Sequence, residues 1–324
     1  QTKIVLNEAW FIKSNRYNMA KSIRIFLLML LMVFLPCHST LFLTHTPLDS
    51  HGISRNVIYT LEDKQVFNSY LSYIESHLGS GCGIEEGKRL KFLLEKTALF
   101  FLGTPYVAHT LEVMDEEKLV VNLRELDCVT FLETVIALTN TVRSGKHDFE
   151  EFTRQLERVR YRNGERNGYS SRLHYTSDWL FNHEQNGLLK NISCELGGIR
   201  EYKKIHFMTS HRDAYRQLKH NDTLFEQIRV VEESMGERGG FFYLPKDKIQ
   251  AAASSIPHMA VLAFTARIEG LDTTHTGFAF WRGDTLTFIH ASSSRGEVVV
   301  DQNSLNDYCA AQPSCTGVII ARML

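Results

Sequence analysis

The sequence has 324 residues, of which 44% are hydrophobic and 23% are charged, and this excludes collagen-like, disordered and coiled-coil proteins. Lys and Arg number 36 and Asp and Glu number 37, so the formal net charge is −1. Binding to nucleic acid needs a clustered surplus of basic residues, and this balance gives no indication of one. The length allows one large domain or two of common size.

The first part of the chain is typical of an export signal. From Met19, the basic residues Lys21 and Arg24 precede an uncharged apolar run at 25–35, which a proline and then small residues follow. The run has 11 residues, fewer than the roughly 20 that span a bilayer. We predict that residues 1–18 are a non-native upstream extension, that 19–39 are a signal peptide, and that 40–324 form a single domain without stable membrane insertion. A lipoprotein anchor at Cys37 is disfavoured, because proline precedes it where a small residue is expected.

The cysteines fit this compartment. Without the cysteine of the signal, five remain, an odd number for an oxidising environment. Cys309 and Cys315 are close enough in sequence for a local disulfide, and Cys82 with Cys194 is a second candidate pair. Cys128 is then the unpaired thiol, which is either a reactive group or an inert packed residue.

Apolar periodicity predicts the elements in chain order. Helices are expected at 66–78, 87–102, from 126 onward, 149–159 and 223–235. Residues 160–222 are polar and rich in aromatic and turn-forming residues, and such a long irregular stretch is usually functional. Short strands are expected at 259–268, 275–281, 285–291, 297–300 and 317–322. Helices first and strands last predict an α+β fold.

Cys128 follows Asp127, a favourable helix N-cap, so it is expected in the first turn of a helix. The positive end of the helix favours the nucleophilic thiolate, and its backbone N–H groups could stabilise an oxyanion. The charge of Asp127 opposes thiolate formation. Taken alone, Cys128 therefore fits a packed core residue better than a nucleophile.

A two-residue Gly-Asp turn at 283–284 predicts a β-hairpin. Its register places His275 opposite Ser292 and puts His290 on the same face, one diagonal step away, at roughly 7–8 Å between Cα atoms. Small residues on that face would let a helix approach. The pair suits a general base, His275, oriented by His290. A solvent-facing hairpin with two incidental histidines is the alternative.

Four blocks in chain order resemble the signature of NlpC-type cell-wall cysteine peptidases, which have a papain-like core. They are LGTPYV at 102–107, LDC at 126–128, HTGF at 275–278 and IHAS at 289–292. Over most of the chain the sequence is more similar to the N-acetylmuramoyl-L-alanine amidase-like branch of that superfamily. The blocks that indicate this branch are LDCVTFLE at 126–133, SRLHY at 171–175 with Asp178-Trp179, FMTSH at 207–211 and GLD at 270–272.

The resemblance implies a papain-like core in which the nucleophile helix packs on an antiparallel sheet. A helical N-terminal part and a large, mostly helical and irregular insertion at about 145–255 complete the catalytic domain. Cys128 would be the nucleophile, His275 the base, His290 its orienting partner, and the hydroxyl of Tyr106 would point toward the nucleophile. No metal or organic cofactor is implied.

The resemblance also suggests residues that contact the substrate. Asp127 either binds a free amine of the substrate or serves only as the N-cap. The groove-lining candidates, each of which could instead be a structural contact, are Arg172, His174, Tyr175, Trp179 and His211. A metal site made of His174, Asp178 and His183 matches no standard motif.

The resulting prediction is an exported cysteine amidase, periplasmic or secreted, that hydrolyses peptidoglycan peptides. The favoured bond is the N-acetylmuramoyl-L-alanine amide. The alternatives are cleavage between D-glutamate and the diamino acid, a non-catalytic module that binds the cell wall, and acyl transfer or deacylation of a host or lipid substrate. The expected partners are muropeptides, with no nucleic acid.

Overall fold

The computed structural model describes residues 57–78 and 85–324, together with the strand backbone at 43–45. The predicted extension and signal peptide, Cys37 and Cys82 lie outside the described residues. The helices of seven or more residues are α1 (Leu61–Leu78), α2 (Glu86–Phe100), α3 (Cys128–Arg143), α4 (Phe149–Arg160), α5 (Thr176–Gln185), α6 (Asp222–Glu237) and α7 (Leu305–Ala311). Four-residue helices lie at Phe207–Ser210, Arg216–Lys219 and Ile249–Ala252, and 3-10 turns at Arg162–Gly164, Tyr169–Ser171, Arg212–Ala214, Lys246–Lys248 and Ala253–Ser255.

Eleven strands of the described chain form two sheets. The strands are β1 (Leu43–His45), β2 (Val57–Tyr59), β3 (Leu119–Val120), β4 (Leu189–Asn191), β5 (Ile199–Glu201), β6 (Phe241–Pro245), β7 (Val261–Ala266), β8 (Thr273–Arg282), β9 (Thr285–Ser292), β10 (Glu297–Val300) and β11 (Cys315–Met323). The large antiparallel sheet has the order β10-β9-β8-β7-β11-β6-β5, with β4 also paired to β11. The small sheet has the order β1-β2-β3. The predicted α+β class is confirmed.

The hairpin of β8 and β9 has the predicted register. Its pairs run from Arg282 opposite Thr285 to Phe278 opposite Ile289. A two-residue connection fixes this register, because a slip of one residue would move every side chain to the other face of the sheet. His290 is therefore held in the interior of the sheet, between β8 and its other neighbour, Val299 of β10.

The long helix α3 is buried along nearly its whole length, and it packs on β8 and β9. The rings of Phe131 and Phe278 meet edge to face at 6.0 Å. At the far side of α3, the carboxylate of Glu133 accepts from Arg160 of α4 at 2.6 Å, and Arg160 also donates to the carbonyl of Val120. Removing one partner of such a buried pair typically costs about 3–5 kcal/mol, so the pair fixes α3 between its neighbours.

The expectation about which face of the hairpin meets the helix is wrong. The helix packs on the face that carries Thr276 and Phe278, whereas the small residues share the opposite face with His275. That opposite face also carries Phe288 of β9, and it packs against Tyr308 of α7. Gly277 is small for another reason, because a Cβ there would lie 2.7 Å from the carbonyl oxygen of Ile289.

The region at 160–222 is more ordered than the sequence pattern indicates. It contains α5, β4 and β5, and it packs with α6 around a separate apolar cluster of Tyr169, Tyr175, Ile205, Met208, Leu218, Ile228 and Met235. These elements are short, so they carry too few residues for a periodic pattern. None of the helices of the described residues has both the length and the apolar composition to cross a membrane.

Candidate active site

The helix N-terminus that carries Cys128 is fixed by reciprocal capping. One carboxylate oxygen of Asp127 accepts from the N–H groups of Val129 (3.0 Å) and Thr130 (2.7 Å), and the Thr130 hydroxyl accepts from the N–H of Asp127 at 2.8 Å. Such a capping box satisfies N–H groups that have no partner within the helix. The N-cap role predicted for Asp127 is thus observed, and the side chain of Thr130 supplies the reciprocal bond of the capping box.

Cys128 is the first residue of α3 and is partly buried. Its carbonyl accepts a hydrogen bond from the Thr276 hydroxyl of β8 at 2.7 Å, which ties the helix N-terminus to the strand that carries His275. Burial, followed by the charge of Asp127, raises the pKa of the Cys128 thiol to about 12. The Cys128 thiol is therefore neutral near pH 7, and it would have to lose its proton to act as a nucleophile.

Asp127→Asn is expected to accelerate alkylation of Cys128 by iodoacetamide several-fold at pH 7.5. Asn caps a helix as well as Asp does, but it removes the negative charge that raises the pKa of the thiol. A lower thiol pKa means more thiolate at a given pH, and the thiolate is the nucleophile. The check is the alkylation rate from pH 6 to 10 by mass spectrometry, with Asp148→Asn, the N-cap change at α4, as control. An unchanged or slower reaction would contradict the electrostatic role of Asp127.

His275 and His290 are in direct contact. The Nε2 atom of His275 lies 2.6 Å from Nδ1 of His290, and the two rings are nearly perpendicular at 86°. Burial, and then repulsion from His290, lowers the pKa of His275 to about 3. Burial lowers the pKa of His290 to about 4. Both imidazoles are therefore neutral near pH 7, so each has one donor and one acceptor nitrogen.

Asp301, directly after β10, completes a chain of polar groups. Its Oδ2 lies 3.3 Å from Nε2 of His290, a buried nitrogen that is otherwise without a partner among the described residues. Its Oδ1 accepts from the backbone and side-chain N–H groups of Asn303 at 2.8 and 3.0 Å. A carboxylate only accepts, so this contact favours the tautomer of His290 that carries its proton on Nε2 and accepts at Nδ1. In that arrangement His275 donates from Nε2 to His290, and its Nδ1 carries no proton.

Tyr106 lies beside the helix N-terminus. Its backbone pairs with Leu126, and its N–H donates to the carbonyl of Gly296 at 2.8 Å. Burial and the nearby charges of Cys128 and Asp127 raise the pKa of the Tyr106 hydroxyl, so this hydroxyl stays protonated as a donor. The predicted proximity of Tyr106 to Cys128 is consistent with this environment.

Two cavities flank His275, each of about 170 Å³. His275 lines both and therefore lies between them. The cavity on the side of Cys128, the nucleophile-side cavity, is lined by Cys128, Val129, His174, Tyr175, Thr176, Met208, Tyr215 and residues 271–276. The other cavity is lined by Phe264, Thr274, His290, Ser292, Ser293, Ser294, Tyr308, Gln312, Ser314 and Cys315. A ligand could therefore lie on either side of His275.

The structure brings two of the five groove candidates to the nucleophile-side cavity, namely His174 and Tyr175. Arg172 is buried and donates to Glu112 (2.7 Å) and Glu117 (2.6 Å) within the protein. Trp179 lies in the core and His211 stacks on Phe207 at the surface. A direct contact with substrate is a prediction for the first two, whereas the other three are placed away from this cavity.

The alternative metal site is not formed. His183 bonds through Nε2 to the carbonyl of Val159 at 2.8 Å, and Asp178 accepts from Arg162 at 2.7 Å. His174 bonds to the carbonyl of Tyr169 at 2.9 Å. Among the residues that the structure describes, no group of three His, Cys, Asp or Glu side chains is arranged to hold a metal ion.

The local disulfide predicted between Cys309 and Cys315 is also absent from the described chain. Both residues are buried as thiols, and they are close enough for a hydrogen bond from the Cys309 thiol to lower the pKa of Cys315. Cys194 is exposed, and its predicted partner lies outside the described residues. Cys128 is the thiol at a helix N-terminus, and it lines one cavity together with His275.

The protein is expected to lose stability in acid. The pKa is lowered to about 3 for His174 and His275 and to about 4 for His183 and His290, from about 6.5 in an unfolded chain. Below pH 6.5 the unfolded state binds more protons than the folded state, so the free energy of unfolding falls as pH falls from about 6.5 to about 4. Each histidine contributes up to about 1.4 kcal/mol per pH unit.

Urea denaturation at pH 7.5, 6.0 and 5.0 measures this loss. The raised pKa values of Glu133 and Asp272 act in the opposite direction, since the folded state then binds protons first. The variant His183→Gln, far from the reacting atoms, should show a shallower decrease than the wild type. Equal slopes in the two proteins would argue against a histidine origin.

Comparison with known proteins identifies the family. The family model described as N-acetylmuramoyl-L-alanine amidase-like matches residues 96–318, more than half of the chain. The chain belongs to the N-acetylmuramoyl-L-alanine amidase-like family. The match includes Cys128, His275, His290 and Asp301, so the whole polar chain lies within the region that defines this amidase-like family.

Solved structures of related proteins agree with this. An N-acetylmuramoyl-L-alanine amidase from Bacteroides uniformis is similar with 35% identity and a TM-score of 0.67, over 71% of this chain and 98% of that one. A protein described as a putative xylanase from Bacteroides fragilis is similar with 35% identity and a TM-score of 0.66, over 70% and 99%. A Legionella pneumophila protein shares the fold at 22% identity and a TM-score of 0.58, over 81% and 94%. No curated protein matches the chain in sequence.

Proposed function

We propose that the protein is an exported cysteine amidase that hydrolyses the amide bond between N-acetylmuramic acid and L-alanine in peptidoglycan peptides. The observation that carries the proposal is that Cys128 shares a cavity with His275, which contacts His290, which in turn lies beside Asp301, in a member of this family. Thiol, base and orienting groups occur in the order that nucleophilic catalysis requires.

In the proposed reaction the Cys128 sulfur attacks the lactyl carbonyl of the muramic acid, and Nδ1 of His275 takes the thiol proton. The carboxylate of Asp127 already binds the N–H groups of residues 129 and 130, so the N–H of Cys128 and the hydroxyl of Tyr106 are the donors for the oxyanion. The C–N bond then breaks, and the leaving L-alanyl amine takes the proton from His275. Water, deprotonated by His275, hydrolyses the thioester and regenerates the thiol.

The same placement supports a papain-like core related to the NlpC-type peptidases. A helix with cysteine at its N-terminus packs on an antiparallel sheet, and the base and its partner lie on adjacent strands. Asp301 extends this arrangement by one carboxylate. The placement of Cys128 and the His275–His290 pair also argues against a module that only binds the cell wall, because binding alone does not need a thiol and a histidine pair in one cavity.

Export rests on the sequence at 19–39, whose basic flank and short apolar run are typical of a signal peptide. Fractionation of cells that express the full chain, with and without these residues, tests it. The proposal requires that the full chain leaves the cytoplasm and that the shortened chain stays there.

The bond that is cut is determined with an N-acetylmuramoyl tetrapeptide that contains both candidate bonds, incubated in water enriched in oxygen-18. Amidase action gives free N-acetylmuramic acid with the label in its carboxyl group and an intact tetrapeptide. Cleavage after D-glutamate would give a muramoyl dipeptide and would replace the proposed bond with the other one. Equal turnover by the wild type and Cys128→Ala would overturn the thiol mechanism.

A further inference from the structure

A larger cavity of about 320 Å³ lies beside the nucleophile-side cavity. Ser177 lines the larger cavity and Thr176 lines the smaller one, so the first turn of α5 is their common wall. The N–H of Ser177 donates at 2.6 Å to Asp272, which itself lines the smaller cavity. The two cavities are therefore neighbours on either side of the first turn of α5.

The larger cavity has a cationic wall made of Arg200, Lys203 and Arg238. Two carboxylates also line it, and both are occupied. Asp178 accepts from Arg162 at 2.7 Å as well as from Arg238, and Glu184 accepts from the N–H of residue 191 at 3.0 Å. Arg238 is paired with Asp178, and Lys203 donates to the backbone carbonyls of residues 266 and 268. Arg200 is a cation of this wall without a carboxylate partner among the described residues.

Aromatic rings hold the two guanidinium groups in place. Arg200 lies 4.7 Å from the ring centroid of Phe242, and Arg238 lies 4.3 Å from that of Phe181. Stacking fixes the plane of a guanidinium while its N–H edge can still donate. Arg200 gives one long bond, 3.3 Å, to the carbonyl of Gly239, which uses one of its five N–H groups. Such a group suits a carboxylate, which it can bind with two parallel hydrogen bonds.

The cavity on the other side of His275 differs in chemistry. The described residues that line it are mainly hydroxyl, amide and aromatic side chains, including Ser292, Ser294, Tyr308 and Gln312, with no Lys or Arg among them. Uncharged hydroxyl and amide groups suit a sugar. A substrate with a sugar at one end and carboxylates at the other therefore has a preferred orientation across Cys128.

We propose that the cavity lined by Arg200, Lys203 and Arg238 binds the carboxylates of the peptide on the leaving-group side of the substrate. The identity of this peptide rests on the proposed amidase function. Free stem peptides, which carry carboxylates at D-glutamate and at the following residues, are then better ligands than the same peptides with amidated carboxylates. The sugar occupies the hydroxyl-rich cavity on the other side of His275.

Binding is measured by calorimetry on the Cys128→Ala protein, so that turnover plays no part. The probes are the tripeptide L-alanyl-γ-D-glutamyl-diaminopimelate and its fully amidated form. We expect the free acid to bind about tenfold more tightly, a loss of about 1.4 kcal/mol on amidation. Arg200→Glu should remove this preference. The matched control is Arg229→Glu, at an exposed arginine of α6 that pairs with Glu226 outside the cavity.

The proposal would be overturned if the protein with native Arg200 bound the acid and the amide equally or bound neither. An equal loss of binding in the Arg200 and Arg229 variants would also overturn it. These outcomes are independent of hydrolysis. If the protein binds the acid selectively but releases no N-acetylmuramic acid, the cavity assignment stands and the proposed reaction is wrong. If the protein releases N-acetylmuramic acid but does not prefer the acid, the reaction stands and the cavity assignment is wrong.

Discussion

Cys128→Ser is expected to lower kcat/KM for the muramoyl peptide by about 10⁴-fold or more, the scale of removing a nucleophile from a cooperating set. Serine is close to cysteine in size and keeps the helix N-terminus and its bond to Thr276. The hydroxyl is a much weaker acid than the thiol, however, and the base that must take its proton is a histidine with its pKa lowered to about 3. The loss is therefore chemical and not structural.

The measurement is the initial rate of release of N-acetylmuramic acid, with the thermal unfolding of each variant recorded in parallel. Cys194→Ser, at an exposed position, is the matched control and should retain wild-type rates. If Cys128→Ser kept activity within tenfold of the wild type, the sulfur would not be the nucleophile. An unfolded Cys128→Ser protein is recognised by its melting curve, and Cys128→Ala then serves as the second variant.

Asp301→Asn is expected to lower kcat by about 10²- to 10⁴-fold with little change in KM. The upper value is the known scale of the corresponding change in a triad where the carboxylate sets the tautomer of a histidine. An amide can donate to Nε2 of His290. That histidine would then donate from Nδ1 to Nε2 of His275, and the proton of His275 would move to Nδ1, the nitrogen that is proposed as the base. Nδ1 of His275 would then carry a proton and could not accept one from the thiol.

If Asp301 had only a structural role, Asp301→Asn would lower stability, and the large fall in kcat at nearly constant KM would not be observed. The kinetic constants are compared from pH 5 to 9 for the wild type, Asp301→Asn and Asp301→Glu, and the last should restore much of kcat because it only accepts. Asp284→Asn, in the exposed turn of the hairpin, is the control. Equal activity of the Asn and Glu variants would show that Asp301 does not set the direction of the hydrogen bonds.

The sequence predicts those parts of the site that depend on local chemistry. Asp127 is a strong N-cap residue wherever it precedes a helix, so the start of α3, predicted at 126 and observed at 128, is predicted within two residues. The two-residue turn at 283–284 fixes the hairpin register through Phe278 and Ile289, and so brings His275 and His290 onto one face. Each of these signals lies within a few residues of the feature that it determines.

The remaining parts depend on long-range packing. Which face of β8 meets α3 is decided by the docking of Phe131 on Phe278, and both faces of this strand contain residues that a helix can contact. Asp301 was missed for a similar reason. Only the pairing of β10 with β9 places it near His290, although an acid directly after a predicted edge strand was a signal that could have been tested.

The hydrogen bond from Thr276 to the carbonyl of Cys128 joins residues 148 positions apart. Closing a loop of that length costs about 4 kcal/mol of chain entropy, and folds rich in such distant contacts form slowly. The helix that carries the thiol and the strand that carries His275 are therefore brought together only when the sheet packs on α3. A newly made chain carries a cysteine of ordinary reactivity and no aligned base, so it cannot attack an amide until it has folded.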